Sequence, residues 1–233
     1  MAAEQRVLAM VQAGQITEEE AARLLAALRA HRRELPGWRV LITPMDFLST
    51  RAAWTVAAIA AVTSILVGRL GVRFDGALDL HRVSGAPPWS LVMVDAVNGI
   101  LLTAVVLWLA IVAVARSVRL IDFVLAVALA RAALVVGGMV AWIVIPRPDE
   151  TQAAMVRALT NASQVDLRYA LPGILVAPFF VWFVVLLYQG FRTASGLKGL
   201  RAGVSFTVGI IAAEILSKLA LIVAGTALFS TVL

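Results

Sequence analysis

Four ionisable side chains, Asp95, Arg131, Glu214 and Lys218, stand inside stretches long and apolar enough to cross a bilayer. A charge at such depth is expensive, so it needs a partner or a task. At 1.5 Å per residue, Arg131 lies about 16 Å into its stretch, and Glu214 about 15 Å into one that runs the same way. Lys218 is about 21 Å deep, and Asp95, entering from the opposite side, lies about 22 Å above the same face. Height therefore sorts the four into two pairs of opposite sign, Arg131 with Glu214 and Asp95 with Lys218. Asn98, one turn from Asp95, completes the second pair. A local pairing of Glu214 with Lys218 is also available, since residues four apart share a helix face. Two kinds of chemistry suit such a network. Structural pairs would fix helix register, at about 1–2 kcal/mol each in a membrane. A proton or ion relay would use the same groups as a path. The four charges sum to zero, which favours the structural role, because a cation site usually keeps an unpaired carboxylate.

The elements that must position these groups follow from composition and hydropathy. Mean hydropathy is +0.93, and 15% of residues are charged, against roughly 25% in a soluble domain. Five apolar stretches, Ala52–Leu70, Ser90–Val114, Leu120–Ile145, Leu171–Tyr188 and Val204–Thr226, each approach the roughly twenty residues that span a bilayer. The expected fold is all-α: a polytopic membrane protein of five transmembrane helices preceded by a small helical hairpin. Its parts are a hairpin at 1–34, an interfacial linker at 35–51 with Pro36, Gly37 and Pro44, and a membrane domain at 52–233. No cleavable signal peptide is expected, since the first fifty residues are polar and charged.

Lys and Arg placement sets the orientation. With the N-terminus inside, twelve basic residues fall to the inner side and six to the outer side, as the positive-inside rule requires. Trp54, Trp89, Trp142, Tyr169 and Tyr188 fall near span ends, where interfacial aromatics belong. The N-terminus is thus expected in the cytosol and the C-terminus outside. Asp122 and Lys198 fall on the cytosolic face, Asp122 as a cap or surface pair with a base such as Arg116 or Arg119. The outer loop Val72–Trp89 is short and turn-rich, and the second outer loop has room for an amphipathic helix over Glu150–Leu159. Pro172 and Pro178 predict a tilted or kinked fourth span. Gly199 and Gly203 predict close helix approach at the mouth of the fifth.

Before the spans, Val7, Leu8 and Val11 recur at helical spacing, and Gly14 supplies a stop. Thr17-Glu-Glu-Glu20 matches a capping box and opens a second helix with Ala21, Leu24, Leu25 and Leu28 on one face. Thirty residues are too few for an independent core, so this hairpin is expected to pack on a protein partner, a second copy or the membrane. Its stretch from Val11 to Leu28 resembles the SHOCT-like helical hairpins of many bacterial proteins, which implies self-association or docking through residues 1–34.

A second resemblance runs from about Thr50 to the C-terminus. Phe74-Asp-Gly-Ala-Leu-Asp-Leu-His81 before Pro88-Trp89, then Asp122, Ala130-Arg131, Leu197-Lys-Gly199 and Ala213-Glu-Ile-Leu-Ser-Lys218, resembles the bacterial branch of the YIP family. These five-span membrane proteins are named for eukaryotic members that interact with Ypt/Rab GTPases. The resemblance implies five spans, a cytosolic N-terminus and, for a bacterial member, residence in the inner membrane. The long acidic or Pro-rich cytosolic region common in eukaryotic relatives is replaced here by the hairpin.

Several function classes fall away. The absence of cysteine excludes disulfides, thiolate nucleophiles and Cys-based metal sites. There is no Gly-x-Ser-x-Gly, no phosphate-cradling glycine loop and no His-Glu-x-x-His, so no enzyme and no cofactor are expected. The basic balance, with a pI near 10.9, reads as topology and headgroup charge rather than nucleic-acid binding. His31 and His81 read as interfacial residues. Asp75, Asp79 and His81 read as a polar amphipathic turn before an outer metal cluster. The expected function is a non-enzymatic scaffold or adaptor that organises partner proteins or lipid. The alternative is a small transporter or channel component using Asp95, Arg131, Glu214 and Lys218.

Overall fold

The computed structural model describes residues 2–34, 37–112, 118–145 and 167–229. The helix expected over Glu150–Leu159 and the loop around Arg116 lie outside them. The chain forms two compact units that divide between Ser49 and Thr50.

The first unit holds two helices and the linker that follows them. Helix α1 (Ala2–Gln12) stops at Gly14, whose φ of +67° suits a residue without a side chain. Helix α2 (Glu18–Glu34) opens on the capping box. The Glu20 amide donates to Thr17 Oγ1 at 3.2 Å, and the Thr17 amide donates to Glu20 Oε2 at 2.9 Å. These two bonds satisfy two of the free donors at the helix start. The backbone bond from Thr17, helped by its hydroxyl, holds the Glu20 carboxyl below its ordinary range. A depressed folded-state value adds stability above the ordinary glutamate range, and that contribution is lost as pH falls through it. Thr17→Ala is therefore expected to speed hydrogen exchange at the Glu18–Ala21 amides several-fold at neutral pH, with a smaller difference near pH 3. Beyond the hairpin, a 3₁₀ turn (Gly37–Leu41) and a one-turn helix α3 (Pro44–Phe47) fill the linker.

The second unit is an all-α membrane bundle. Its elements are α4 (Thr50–Arg69), β1 (Val72–Arg73), β2 (His81–Arg82), α5 (Trp89–Val97), a π-helical turn (Asn98–Leu102), α6 (Thr103–Val112), α7 (Leu120–Val144), α8 (Leu167–Ser195) and α9 (Gly199–Phe229). Five helical segments are long and apolar enough to cross a membrane: Thr50–Arg69, Trp89–Val112, Leu120–Val144, Leu171–Ser195 and Gly199–Val223. Two boundaries differ from expectation. Helix α8 stays helical through Pro172 and Pro178 and runs on to Ser195, and α9 starts at Gly199 rather than Val204.

Helix α7 is the axis of the bundle: an 18-residue stretch of its span is 72% buried, against 22% for such a stretch of α8 and 28% for one of α9. Its sequence explains this, because Ala126, Ala130, Ala133, Gly137 and Gly138 let neighbours approach closely. A Cβ on Gly137 would lie 2.8 Å from Phe179 of α8, and one on Gly138 would lie 2.6 Å from Phe74 of the β1–β2 loop. Helix α4, which also packs on α7, buries Ala53, Ala57, Ala60 and Ser64, spaced three and four apart. Gly199 and Gly203 meet no neighbour within 4 Å, because at that level α9 turns Ala202 and Phe206 to the bundle instead. Its close approach comes at Gly209, where a Cβ would lie 3.0 Å from Leu107 of α6.

The ends of the bundle differ in chemistry. At the end where α7 begins, Phe123 meets Phe191 at 6.0 Å between ring centroids, Phe191 meets Phe206 at 5.6 Å, and Tyr188 meets Phe206 at 5.2 Å. The opposite end holds the charges.

Candidate functional site: a re-entrant loop in a charged cradle

The segment between α4 and α5 does not lie on the surface as a turn-rich loop. Gly71, at φ +91°, turns the chain back, and β1 pairs antiparallel with β2, Val72 opposite Arg82 and Arg73 opposite His81. The tip between the strands enters the bundle. Phe74, Asp75, Gly76 and Ala77 are all buried, with Ala77 fully so. Non-helical backbone at membrane depth survives only where protein satisfies its polar groups. Two span charges do that here. Arg131 Nη2 donates to the Gly76 carbonyl at 2.6 Å, and the Leu78 amide donates to Glu214 Oε2 at 2.7 Å.

Every predicted network residue is at this place, but the partners differ from the expected ones. Asp95, 3% exposed, accepts two bonds from Arg73, from Nε at 2.8 Å and from Nη2 at 2.7 Å. It does not pair with Lys218. Lys218 instead donates to Asp75 at 3.2 Å and to Asp79, with Glu214 at 4.0 Å on its own helix, so the local Glu214–Lys218 spacing is used. Arg131 and Glu214 hold adjoining groups of the same loop rather than each other. Asn98 Nδ2 donates to the Ser217 carbonyl at 3.1 Å, which joins the π turn of the second span to α9. The pairing changed because the loop interposes nearer partners of opposite sign.

The local sequence explains how the cradle forms. The π turn brings Gly99 against Arg131, where any Cβ would overlap the guanidinium. Gly76 likewise leaves room for Glu214, whose Oε2 would lie 2.8 Å from an added Cβ. Arg131 is 2% exposed, and its Nε has no acceptor among the described residues. The loop base is tied by Arg82 to the Ile145 carbonyl at the end of α7 and by Arg69 to the Pro87 carbonyl. Arg69 also lies over the Trp89 ring, 4.9 Å from its centroid.

His81 completes the cluster, with Nδ1 3.4 Å from Asp75 and 3.7 Å from Asp79. The Asp79 carboxylate holds its imidazole above the ordinary range, partial burial opposes this, and Asp75 adds to it. In turn His81, and after it Lys218, holds Asp79 well below the usual carboxylate range against partial burial. Ligand atoms of Asp75, Asp79 and His81 lie within 4.8 Å of one another, close enough for a metal ion. The Lys218 ammonium already binds both carboxylates, so they have their cation.

At the other end, Arg119 grips Asp122 with two bonds of 3.1 Å, the surface pair expected of it. Lys198 is exposed in the short turn between α8 and α9. An open groove of about 530 Å³ lies between α5–α6 and α9, lined by apolar side chains that include Met93, Val97, Leu101 and Leu221.

The loop residues Arg73, Asp75 and Asp79 are the functional groups that sequence reasoning assigned elsewhere. Their signal was present: Val72, Phe74, Ala77, Leu78 and Leu80 are too many apolar side chains for a loop in water. Comparison with family models, with curated proteins and with solved structures finds no match to this chain.

Proposed function

We propose that the protein is a non-enzymatic membrane scaffold or adaptor. Its bundle organises partner proteins or lipid, and its hairpin mediates self-association or docking. The observation that carries this reading is the hairpin's unfinished packing. Val7 and Ala21 are buried, while Leu8, Leu24 and Leu28 stay exposed on the same short helices. Two helices of this size cannot form a core alone, so their free apolar side chains fit a protein surface. The bundle supports the same reading, because its charges hold a loop in place instead of lining an aqueous path. Under this proposal the protein sits in a bacterial inner membrane, hairpin, Asp122 and Lys198 in the cytosol and C-terminus outside, as the Lys and Arg distribution favours. The YIP-like and SHOCT-like resemblances belong to the proposal.

The test is purification of the full chain from its native membrane in mild detergent, beside a chain lacking Met1–Arg33. A co-purifying protein or a dimer should be present with the full chain and lost with the deletion. A lone monomer in both preparations would overturn the reading.

The re-entrant loop favours a second reading, a transporter or channel component, because broken backbone at membrane depth also builds transport paths. Proton or ion flux into liposomes, abolished by Asp95→Asn or Glu214→Gln, would support it over the scaffold.

A further inference from the structure

The charged cradle is one positive charge short. Four acids face the loop and its surroundings: Asp75 and Asp79 from the loop, Asp95 from α5 and Glu214 from α9. Three permanent bases answer them: Arg73 from β1, Arg131 from α7 and Lys218 from α9. Arg82 on β2 points its guanidinium to the Ile145 carbonyl. The group that closes the balance is His81, whose Nδ1 reaches both Asp75 and Asp79, the carboxylates that Lys218 also holds. Its side chain is 39% exposed, so a proton reaches it from water without opening the bundle.

We propose that His81 is a proton-operated latch: its protonation seats the re-entrant loop, and its deprotonation releases the loop from the cradle. The proton comes from bulk water and returns to it, converting imidazole to imidazolium with no other reactant. With His81 charged, the cluster is neutral and Asp75 and Asp79 are bridged to both β2 and α9. With His81 neutral, four carboxylates face three bases, and the excess negative charge repels Asp75 and Asp79 from Asp95 and Glu214. The loop is the element able to move. Its strands are two residues each, its tip is tied to α7 and α9 by polar bonds beside the packing of Phe74 and Ala77, and the spans stay packed through α7. The sign follows from linkage. A histidine held above its ordinary value of about 6.5 stabilises the seated state fully below that pH. The contribution disappears as pH rises through the folded-state value. This inference stands apart from the scaffold proposal, since it concerns the loop and not what the protein binds.

The chain has no cysteine, which makes a single introduced thiol a clean reporter. Ala77→Cys, at the buried tip, and Ala86→Cys, exposed beyond β2, are compared in the full-length protein in detergent with a maleimide. Dividing the first rate by the second at each pH removes the pH dependence common to both thiols, and the same ratio in His81→Gln carries what burial adds to the tip thiol's own ionisation. The ratio is expected to rise several-fold from pH 5.5 to pH 9. His81→Gln should give a high ratio at both pH values, and His81→Lys a low ratio at both. Should the tip cysteine prevent folding, thermal unfolding of the cysteine-free protein gives the same decision. Its melting temperature should fall over this pH interval, and His81→Gln should remove the fall. A ratio that does not change with pH, or a His81→Gln protein that keeps the wild-type pH dependence of melting, overturns the latch.

Discussion

Arg131→Met is expected to lose about 3–5 kcal/mol of stability, the cost of stripping one member from a buried charged cluster. That is a large part of the total of about 5–15 kcal/mol that holds a typical domain. Three effects act together. The Gly76 carbonyl loses its donor and stays buried, the cluster gains an uncompensated negative charge, and the space beside Gly99 no longer fits its occupant. The measurement is the monodisperse fraction and melting temperature of the detergent-solubilised protein. Arg131→Lys should recover only part of the loss, since a single ammonium lacks the guanidinium's reach and planar fork. A methionine variant that melts within about two degrees of wild type, well under the shift expected for such a loss, would remove Arg131 from its central place.

Asp95→Leu is expected to be comparably damaging, again about 3–5 kcal/mol, because it leaves the partly buried Arg73 beside an apolar side chain. The structure also predicts which second change repairs it. Arg73→Met combined with Asp95→Leu removes both charges of a two-bonded pair and should restore more than half of the loss. Repair should be incomplete, as Arg73 also lies 3.8 Å from Asp75. Lys218→Met combined with Asp95→Leu should repair nothing, because Lys218 serves Asp75 and Asp79. A double-mutant cycle in unfolding free energy separates these outcomes. Coupling of Asp95 to Lys218 stronger than to Arg73 would contradict the geometry.

The contrast between those two cycles marks where sequence reading stopped. Hydropathy and length locate five spans to within a few residues, and counting at 1.5 Å per residue gives the heights of Asp95, Arg131, Glu214 and Lys218. Height does not give the direction in which a side chain points around its helix, nor what lies between two helices. The loop Val72–Arg82 lies between them, and its short length and turn residues disguise it as surface. The capping box of Thr17 and Glu20 and the Arg119–Asp122 pair were legible because their partners are local, three residues apart. Arg73 with Asp95 and Lys218 with Asp79 were not, because they join segments 22 and 139 residues apart. The Gly199–Gly203 pattern misled for a related reason: small residues permit an approach that only the path of the whole helix decides.

The π turn in the second span has a consequence for the bundle's geometry. An inserted residue advances a helix by about 100°, so the side chains before and after Asn98–Leu102 are out of phase with one another. α5 can thereby aim Val92 and Asp95 at α4 and the loop, while α6 turns Leu107 and Ala110 toward Gly209. One membrane crossing thus behaves as two half-rods offset in phase, each indexed to a different neighbour. Removing a single residue there would restore the α-helical phase and misalign one of its two interfaces, whichever half kept its original setting.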